Sequence, residues 1–187
     1  MRVIAGICRG MKLLAPTGTS TRPTSDKVKE ALFNIISSRI SFDDVRVLDI
    51  CAGTGSLGIE ALSRGAAACI FIENERRVLA CLEKNISDAR ITDRSEISSM
   101  DALKALSVIV RRGLMFDLVL FDPPYDSGLY ASVPEALCKL GLLASNALFV
   151  AECSARNPLP DSIGPLARFD RRVYGDSALE LFILEET

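Results

Sequence analysis

Residues 45–58 read Val-Arg-Val-Leu-Asp-Ile-Cys-Ala-Gly-Thr-Gly-Ser-Leu-Gly, and this stretch decides the fold. The apolar run from Val45 to Ile50 has the length and composition of a buried strand. The spacing Gly53-x-Gly55-x-x-Gly58 is typical of a tight turn from a parallel strand into a helix, where the backbone can approach a ligand closely. We therefore predict a strand, a glycine loop (residues 49–55) and a helix in this order.

Short apolar runs alternate with helical stretches after this loop. The predicted strands are 45–50, 69–73, 97–100, 118–121 and 147–151, and the predicted helices are 56–64, 75–89, 101–112 and 128–140. Strands separated by crossover helices predict a parallel sheet that is covered on both faces. Two further runs, 168–174 and 179–184, flank Gly175-Asp-Ser177 and predict a C-terminal antiparallel hairpin. The fold class is therefore α/β, with a mostly parallel seven-stranded sheet.

The first 43 residues predict a small extension that packs on this core. Residues 2–15 have the pattern of a β-hairpin, and the apolar residues from Val28 to Ile36 follow helical spacing. Residues 1–30 carry six cationic and two anionic side chains, whereas the whole chain has a formal net charge of -2 and a pI near 5.3. We expect a basic extension at 1–43 that contacts phosphates and a catalytic domain at 44–187.

Composition excludes several classes of function. The chain contains no histidine, which removes His-dependent nucleophilic triads and His metal sites. Its six cysteines form no Cys-x-x-Cys pair, so we expect free thiols in a reducing cytoplasm and no metal site. No apolar run approaches the roughly 20 residues that span a bilayer, and we therefore expect no membrane segment and no membrane partner.

The glycine loop alone leaves two kinds of cofactor open. Its glycines match the dinucleotide fingerprint, and Glu73, at the end of the next strand, could bind the ribose of either cofactor. Asp49 discriminates between them, because a carboxylate beside the loop would repel a pyrophosphate. S-adenosylmethionine has no phosphate and carries an ammonium and a sulfonium. We therefore favour S-adenosylmethionine over a nicotinamide or flavin dinucleotide.

The expected cofactor-binding residues lie at the carboxyl ends of the first three predicted strands. They are Asp49, Cys51, Ala52, Gly53, Thr54, Gly55, Glu73, Asn74, Asp101 and Ala102. Asp101 could accept a hydrogen bond from an adenine amino group, or it could serve only as the N-cap of the following helix. The residue pattern leaves both interpretations open.

A second motif, Asp122-Pro-Pro-Tyr125, follows the central strand at its carboxyl end, where open α/β sheets bind ligands. The exocyclic amine of a nucleic-acid base is a poor nucleophile because its lone pair is delocalised into the ring. If the Asp122 carboxylate and the Pro123 carbonyl accept hydrogen bonds from the two N–H groups of the amine, its lone pair turns toward the methyl group of the sulfonium. Pro124 makes the segment rigid, and Tyr125 is expected to stack on an extruded base. We assign catalysis to Asp122, Pro123, Pro124 and Tyr125.

These two motifs do not identify the base. The N6 amine of adenine, in DNA or RNA, could use the same tetrapeptide. A non-catalytic RNA-binding assembly factor is the alternative from another class of function, and the intact Asp122 and Tyr125 argue against it.

Several further segments carry a family resemblance. They include Thr21-Arg-Pro-Thr-Ser-Asp26, Lys29-Glu-Ala-Leu-Phe-Asn34, Ala52-Gly-Thr-Gly55, Glu60-Ala-Leu-Ser-Arg-Gly65 and Asp122-Pro-Pro-Tyr125. In these segments the chain resembles the bacterial RsmD-type 16S ribosomal RNA guanine-N2 methyltransferases, and the resemblance covers nearly its whole length. Cys51 is a departure, since an aromatic residue is common at that position in the family.

The resemblance implies a class I S-adenosylmethionine methyltransferase fold, which is Rossmann-like. It implies guanine N2 as the target, in 16S ribosomal RNA or in a small-subunit assembly intermediate. It also implies that the N-terminal extension helps to hold RNA. The expected RNA-contacting residues of this extension are Arg2, Arg9, Lys12, Arg22, Thr24 and Lys27.

Overall fold

A computed structural model describes residues 1–16, 26–124 and 127–184 of the chain. Its strands form an eight-stranded sheet in the order β3-β2-β1-β4-β5-β8-β7-β6. They are β1 (Arg46–Ile50), β2 (Ala68–Ile72), β3 (Ser95–Ser98), β4 (Phe116–Phe121), β5 (Leu143–Ser154), β6 (Ser162–Ile163), β7 (Leu166–Tyr174) and β8 (Ser177–Leu184). Strands β1 to β5 are parallel, and β8 is antiparallel to both β5 and β7. The predicted α/β class and C-terminal hairpin are confirmed.

Five helices cover the sheet within the described ranges. They are α1 (Asp26–Ser37), α2 (Ser56–Ser63), α3 (Arg76–Asp88), α4 (Ala102–Ile109) and α5 (Leu129–Lys139), with short 3-10 turns at Thr92–Arg94 and Val110–Arg112. Helices α1, α2 and α3 share a hydrophobic core on one face, and α4 and α5 share a second core on the other face. None of the described helices is both long and apolar enough to cross a membrane.

The sheet differs from the prediction at its two edges. The two-residue strand β6 pairs with β7 and was not predicted, because two residues leave no periodic signal. Strand β3 begins at Ser95 rather than at residue 97. It is an edge strand with no fully buried residue, so its apolar alternation is weak.

The N-terminal arm (residues 1–16) pairs as the predicted hairpin, but only over a short stretch, in which Val3 N donates to Met11 O at 2.9 Å and Leu13 N donates to Met1 O at 3.2 Å. Its two halves meet at an isolated antiparallel bridge between Arg2 and Lys12. The first half is also held by α2, where the backbone N–H groups of Ile4 and Ala5 donate to Glu60 at 2.7 and 3.0 Å. The hairpin pairing is short because these two backbone groups bind a side chain on a helix rather than the other half of the arm.

Helix α2 is buried along its whole length, including the polar residues Ser56, Glu60 and Ser63. Their spacing of i, i+4 and i+7 places them on one stripe of the helix. Besides the two arm amides, Glu60 accepts from Arg64 Nε at 2.8 Å and lies 3.5 Å from Lys29 Nζ. These four donors fill the roughly four acceptor positions of a carboxylate. Burial lowers the pKa of Lys29, and the charge and hydrogen bond of Glu60 oppose that effect.

The extension and the rest of the chain share one core. Val3 of the arm and Leu32, Phe33 and Ile36 of α1 are fully buried in the same cluster as the apolar residues of α2. The boundary near residue 43 stays a prediction, and the packing shows that the extension lies directly on the helix that follows the glycine loop.

Gly6 should be essential for this packing. A methyl group added at Gly6 would lie 1.7 Å from the carbonyl oxygen of Ser63, and its φ of +80° disfavours any other residue. Gly6→Ala should therefore lower the free energy of unfolding by about 3 kcal/mol or more. This loss corresponds to a decrease in Tm of roughly 6 to 12 °C, measurable by scanning calorimetry.

Gly10→Ala is the matched control for this change. Gly10 has a similar φ of +85°, but an added methyl group would have no neighbour within 4 Å among the residues that the structure describes. Its cost should be only that of the left-handed conformation, about 1 kcal/mol. Equal decreases in Tm for the two variants would contradict the close approach of the arm to α2.

Candidate active site

The carboxyl ends of β1 to β4 meet at one edge of the sheet and bring the two sequence motifs together. Backbone hydrogen bonds continue across this edge beyond the strands. Glu73 N donates to Ser98 O at 3.1 Å, and Asp122 N donates to Ile50 O at 3.3 Å. The glycine loop, Glu73 and Asp122 therefore lie on adjacent strand ends.

The glycine loop turns through three residues with positive φ. The φ angles are +59° at Cys51, +56° at Gly53 and +81° at Gly55. Gly55 N donates to Ala52 O at 2.8 Å, which closes the turn. Gly55 is also the N-cap of α2 and gives the helix no side-chain cap. A ligand at this edge therefore faces the positive end of the helix dipole.

Asp49 is the first residue of the loop segment and still belongs to β1. Its side chain is 2% exposed, and its Oδ2 accepts from Gly58 N at 2.9 Å, which fastens β1 to the first turn of α2. Burial raises the pKa of Asp49 to about 7; the Gly58 hydrogen bond lowers it and the charge of Glu73 raises it further. The role expected for Asp49 toward a cationic ligand stays a prediction.

Glu73 supports the loop from β2. Its Oε2 accepts from Gly53 N at 2.9 Å, and its Oε1 accepts from the backbone N–H groups of Asn74 and Glu75 at 2.8 Å each. Backbone donors thus fill three of the roughly four acceptor positions of this carboxylate. A ligand hydroxyl would meet a carboxylate that is already oriented by the loop and retains capacity for one more donor. Asn74 is exposed beside it.

Asp101 is the N-cap of α4. Its Oδ1 accepts from the backbone N–H groups of Leu103 and Lys104 at 3.1 and 3.4 Å. The capping interpretation is therefore confirmed. Its Oδ2 accepts no hydrogen bond from the described residues, and its contact with a ligand stays a prediction. Ala102 is buried in the first turn of α4.

Asp122 directly follows β4 and has a second carboxylate beside it. Phe121 pairs with Ala151, so strand periodicity places Glu152 of β5 next to Asp122 on the same face of the sheet. Desolvation raises the pKa of Asp122 well above its usual range, and the charges of Glu152 and Asp49 raise it further. Asp122 is an exposed residue, so we attribute this direction mainly to the two neighbouring carboxylates.

Tyr130 of α5 holds the carbonyl group of Pro123. The Tyr130 hydroxyl lies 3.1 Å from Pro123 O and 3.1 Å from Glu152 O, so it connects the segment after β4 to β5. Its ring packs edge-on against Phe121, with 5.8 Å between the ring centroids. A carbonyl oxygen has two lone pairs, so Pro123 O can still accept from a second donor.

Glu152 and Tyr130 were missed by the sequence analysis. Glu152 carries the same signal as Asp122, an acidic residue at the end of an apolar run, and could have been found on that basis. Tyr130 carries no such signal, because its contact with Pro123 depends on how α5 packs against the sheet.

Cys51 lies at the centre of the site. Burial raises the pKa of its thiol to about 12, and the charges of Glu73, Asp122, Asp49 and Asp101 add to this effect. The thiol therefore stays protonated and is not a nucleophile. Because acidic residues from four strand ends all act on one thiol, the motifs converge on a single site that is rich in acidic groups.

The structure describes only some of the residues that were predicted to contact RNA or the base. Arg22, Thr24 and Tyr125 lie outside the described residues. The described members of the RNA-contacting set are all exposed: Arg2, Arg9, Lys12 and Lys27.

Arg9 lies far from the glycine loop. It lies in a turn that is bound to the carboxyl end of α2, where Ile7 N donates to Ser63 O at 2.8 Å. The loop is at the opposite end of this eight-residue helix, about 12 Å away. Arg2 is closer to the start of α2 and pairs with Asp26 at 2.9 Å. Contact of these residues with RNA stays a prediction.

Known proteins similar to this chain cover almost its full length. A family model described as "Conserved hypothetical protein 95" matches residues 1–183. Ribosomal RNA small subunit methyltransferase D of Escherichia coli (strain K12) is 35% identical over 97% of this chain and 89% of its own length. YlbH of Bacillus subtilis (strain 168) is 36% identical over 97% of this chain and 98% of its own length. The solved structure of Escherichia coli yhhF is similar with a TM-score of 0.86 at 34% identity, covering 99% of this chain and 98% of that one.

The buried Asp49 should make the stability of the protein depend on pH. Between about pH 4 and pH 7 the folded protein holds a proton on Asp49 that the unfolded chain has released. This stabilisation is fully present below about pH 4 and is lost as the pH rises through 7, with an upper limit of about 4 kcal/mol. Asp49→Asn keeps an acceptor for Gly58 N–H without the charge, so it should remove this part of the pH dependence.

Chemical denaturation at about pH 5 and about pH 8 measures the effect. Asp88→Asn is the control for loss of a charge, since Asp88 is exposed and pairs with Lys84 on the surface of α3. If Asp49→Asn lost as much stability between the two pH values as the unchanged protein, the assignment of a protonated Asp49 would be wrong.

Proposed function

The chain belongs to the family described as conserved hypothetical protein 95, and on that premise we propose that it is a methyltransferase of small-subunit ribosomal RNA. S-adenosylmethionine is the proposed methyl donor, and the N2 amine of a guanine is the proposed acceptor. The observation that carries the proposal is the convergence of Asp122 and the Pro123 carbonyl with the glycine loop at one acidic edge of the sheet. The similarity to ribosomal RNA small subunit methyltransferase D extends over nearly the whole chain and supports it.

The charge of the site fits S-adenosylmethionine better than a dinucleotide. The acidic residues of the site are Glu73, Asp122, Asp49 and Asp101, and a bound ammonium or sulfonium group would stabilise their ionised forms, whereas a pyrophosphate would be repelled by them. The amino end of α2 is suited to the carboxylate of the same cofactor. When bound, the cofactor supplies a methyl group activated by a positively charged sulfur. The residues that would hold it are those of the glycine loop, with Glu73 and Asp101 on either side.

Asp122 and Pro123 are suited to activate an exocyclic amine. Their carboxylate and carbonyl oxygens accept hydrogen bonds from its two N–H groups, which turns the nitrogen lone pair toward the methyl group. Tyr130 keeps the Pro123 carbonyl in place against β5. The new N–C bond forms as the S–C bond breaks, and the nitrogen then releases one proton. The Asp122 carboxylate, which accepts one of the two N–H groups in this arrangement, is the proposed acceptor for that proton.

Guanine is proposed because of segments outside the site. The tetrapeptide would serve guanine or adenine equally, whereas residues 21–26 and 29–34 resemble the RsmD-type enzymes. The basic character of residues 1–30 is consistent with a contact to RNA phosphates. A ribosomal substrate would place the protein in the cytoplasm.

Methyl transfer from labelled S-adenosylmethionine to 16S RNA and to isolated small subunits tests the proposal directly. We expect N2-methylguanosine as the labelled nucleoside after digestion. Methyladenosine as the sole product would overturn the choice of guanine, and RNA binding without any transfer would indicate an assembly factor. S-adenosylhomocysteine should raise the Tm of the protein, and a nicotinamide dinucleotide should not.

Asp122→Asn and Tyr125→Ala should impair turnover without impairing cofactor binding. We expect kcat to fall by about 100-fold or more in Asp122→Asn, which is typical for loss of one preorganised polar contact in a transition state. Loss of base stacking in Tyr125→Ala should cost about 1–3 kcal/mol, which is a decrease in kcat/KM of roughly 5- to 150-fold. The Kd for S-adenosylhomocysteine should change by less than about threefold, because neither change alters the glycine loop. Steady-state kinetics and calorimetric titration measure the two effects separately.

Matched variants serve as controls for these two changes. Tyr125→Phe keeps an aromatic ring and should remain active, and Asp88→Asn removes a carboxylate on the far surface of α3. Full activity of Asp122→Asn would show that its carboxylate is not needed, and full activity of Tyr125→Ala would contradict the stacking role.

A further inference from the structure

Asn85 of α3 joins the N-terminal arm to the glycine loop. Its side chain is fully buried. The amide nitrogen donates to Leu14 O at 3.0 Å and to Thr54 O at 2.9 Å, and the amide oxygen accepts from Leu14 N at 2.8 Å. Both N–H bonds of the amide are thus used, one on the arm and one on the loop. The two partners lie 71 and 31 residues away along the chain.

The carbonyl that Asn85 binds belongs to a deformable peptide of the loop. Thr54 stands between Gly53 and Gly55, both with positive φ, and glycine opposes rotation of a neighbouring peptide plane less than other residues do. The same peptide plane carries Gly55 N–H, which donates to Ala52 O at 2.8 Å. Asn85 and Ala52 therefore hold the two ends of one peptide group and determine which way it points.

The arm in turn fixes the position of the Asn85 amide. The N–H and C=O groups of Leu14 bind it at two points, as a neighbouring strand would. Lys29 of α1 makes a second connection, because its Nζ donates to Arg2 O at 2.7 Å and to Ser56 Oγ at 3.1 Å. Ser56 is the first residue of α2 after the loop. The arm is thus connected to the loop and to the residue that follows it.

We infer that Asn85 is a positioning residue for the glycine loop, through which the docking of the arm backbone at Leu14 sets the affinity of the loop for its cofactor. The inference rests on the proposed function, since it takes S-adenosylmethionine as the ligand of the loop. Reciprocity follows from linkage: a contact that orders the arm, such as RNA, strengthens cofactor binding, and cofactor binding strengthens that contact by the same factor.

Asn85→Ala tests the role of the amide, and Ser63→Ala is its matched control. Ser63 Oγ also makes two hydrogen bonds with the arm backbone, to Ala5 O at 2.5 Å and from Cys8 N at 3.0 Å, but at the opposite end of α2. Both variants should lower the Tm. We expect only Asn85→Ala to raise the Kd for S-adenosylhomocysteine, by about tenfold, measured by calorimetric titration where each variant is folded.

A substitution in the arm itself tests whether the arm influences the glycine loop through Asn85. Leu14→Pro removes the N–H that donates to Asn85, whereas Leu14→Ala keeps it and alters only a side chain that is 48% exposed. We expect Leu14→Pro to raise the Kd for S-adenosylhomocysteine by about threefold or more and Leu14→Ala to leave it within about twofold. If Asn85→Ala fails to fold, the comparison of Leu14→Pro with Leu14→Ala still tests the inference.

The outcomes separate the inference from the proposed function. If the unchanged protein does not bind S-adenosylhomocysteine, the proposed function fails and the inference fails with it. If it binds, and Asn85→Ala and Ser63→Ala have the same Kd, the positioning role of Asn85 is overturned. Equal Kd values for Leu14→Pro and Leu14→Ala would overturn the contribution of the arm.

Discussion

The burial of helix α2 is the constraint on which the rest of the structure depends. A helix that carries Ser56, Glu60 and Ser63 can be fully buried only if each polar group finds a partner, because an unpaired buried group costs about 1–3 kcal/mol and an unpaired charge costs more. The backbone of the N-terminal arm, Lys29 and Arg64 supply those partners. This requirement explains why the arm lies along α2 and why α1 packs beside it.

The burial of α2 also affects the active site, because α2 begins where the glycine loop ends. Glu73 holds the loop from the sheet, Asp49 holds the first turn of α2, and Asn85 holds the loop from α3. The loop is therefore oriented before any ligand arrives. Preorganisation of this kind suits a methyl transfer, where the protein contributes mainly position and charge. The carboxylates that act on Cys51 provide the charge.

Residues that project from strand ends could be predicted from the sequence, because the carboxyl ends of parallel strands share one edge of the sheet. Asp49, Glu73, Asp101 and Asp122 were found in this way. Asp101 shows the limit of the method, since its residue type and position suited a helix cap as well as a ligand contact, and the structure confirmed the cap. Other participants were missed, among them Tyr130, whose contact with Pro123 has no counterpart in local spacing.

The sequence by itself determined the α/β class, the approximate strands and helices, the turn at the glycine loop and the acidic residues at the strand ends. These features depend on local periodicity and on glycine spacing, which are legible within a few residues. Only the tertiary structure decided that β8 lies between β5 and β7, that Glu152 lies beside Asp122, and that Asn85 joins the arm to the loop. Each depends on pairing between segments far apart in the chain, and such pairing leaves no periodic pattern in either segment.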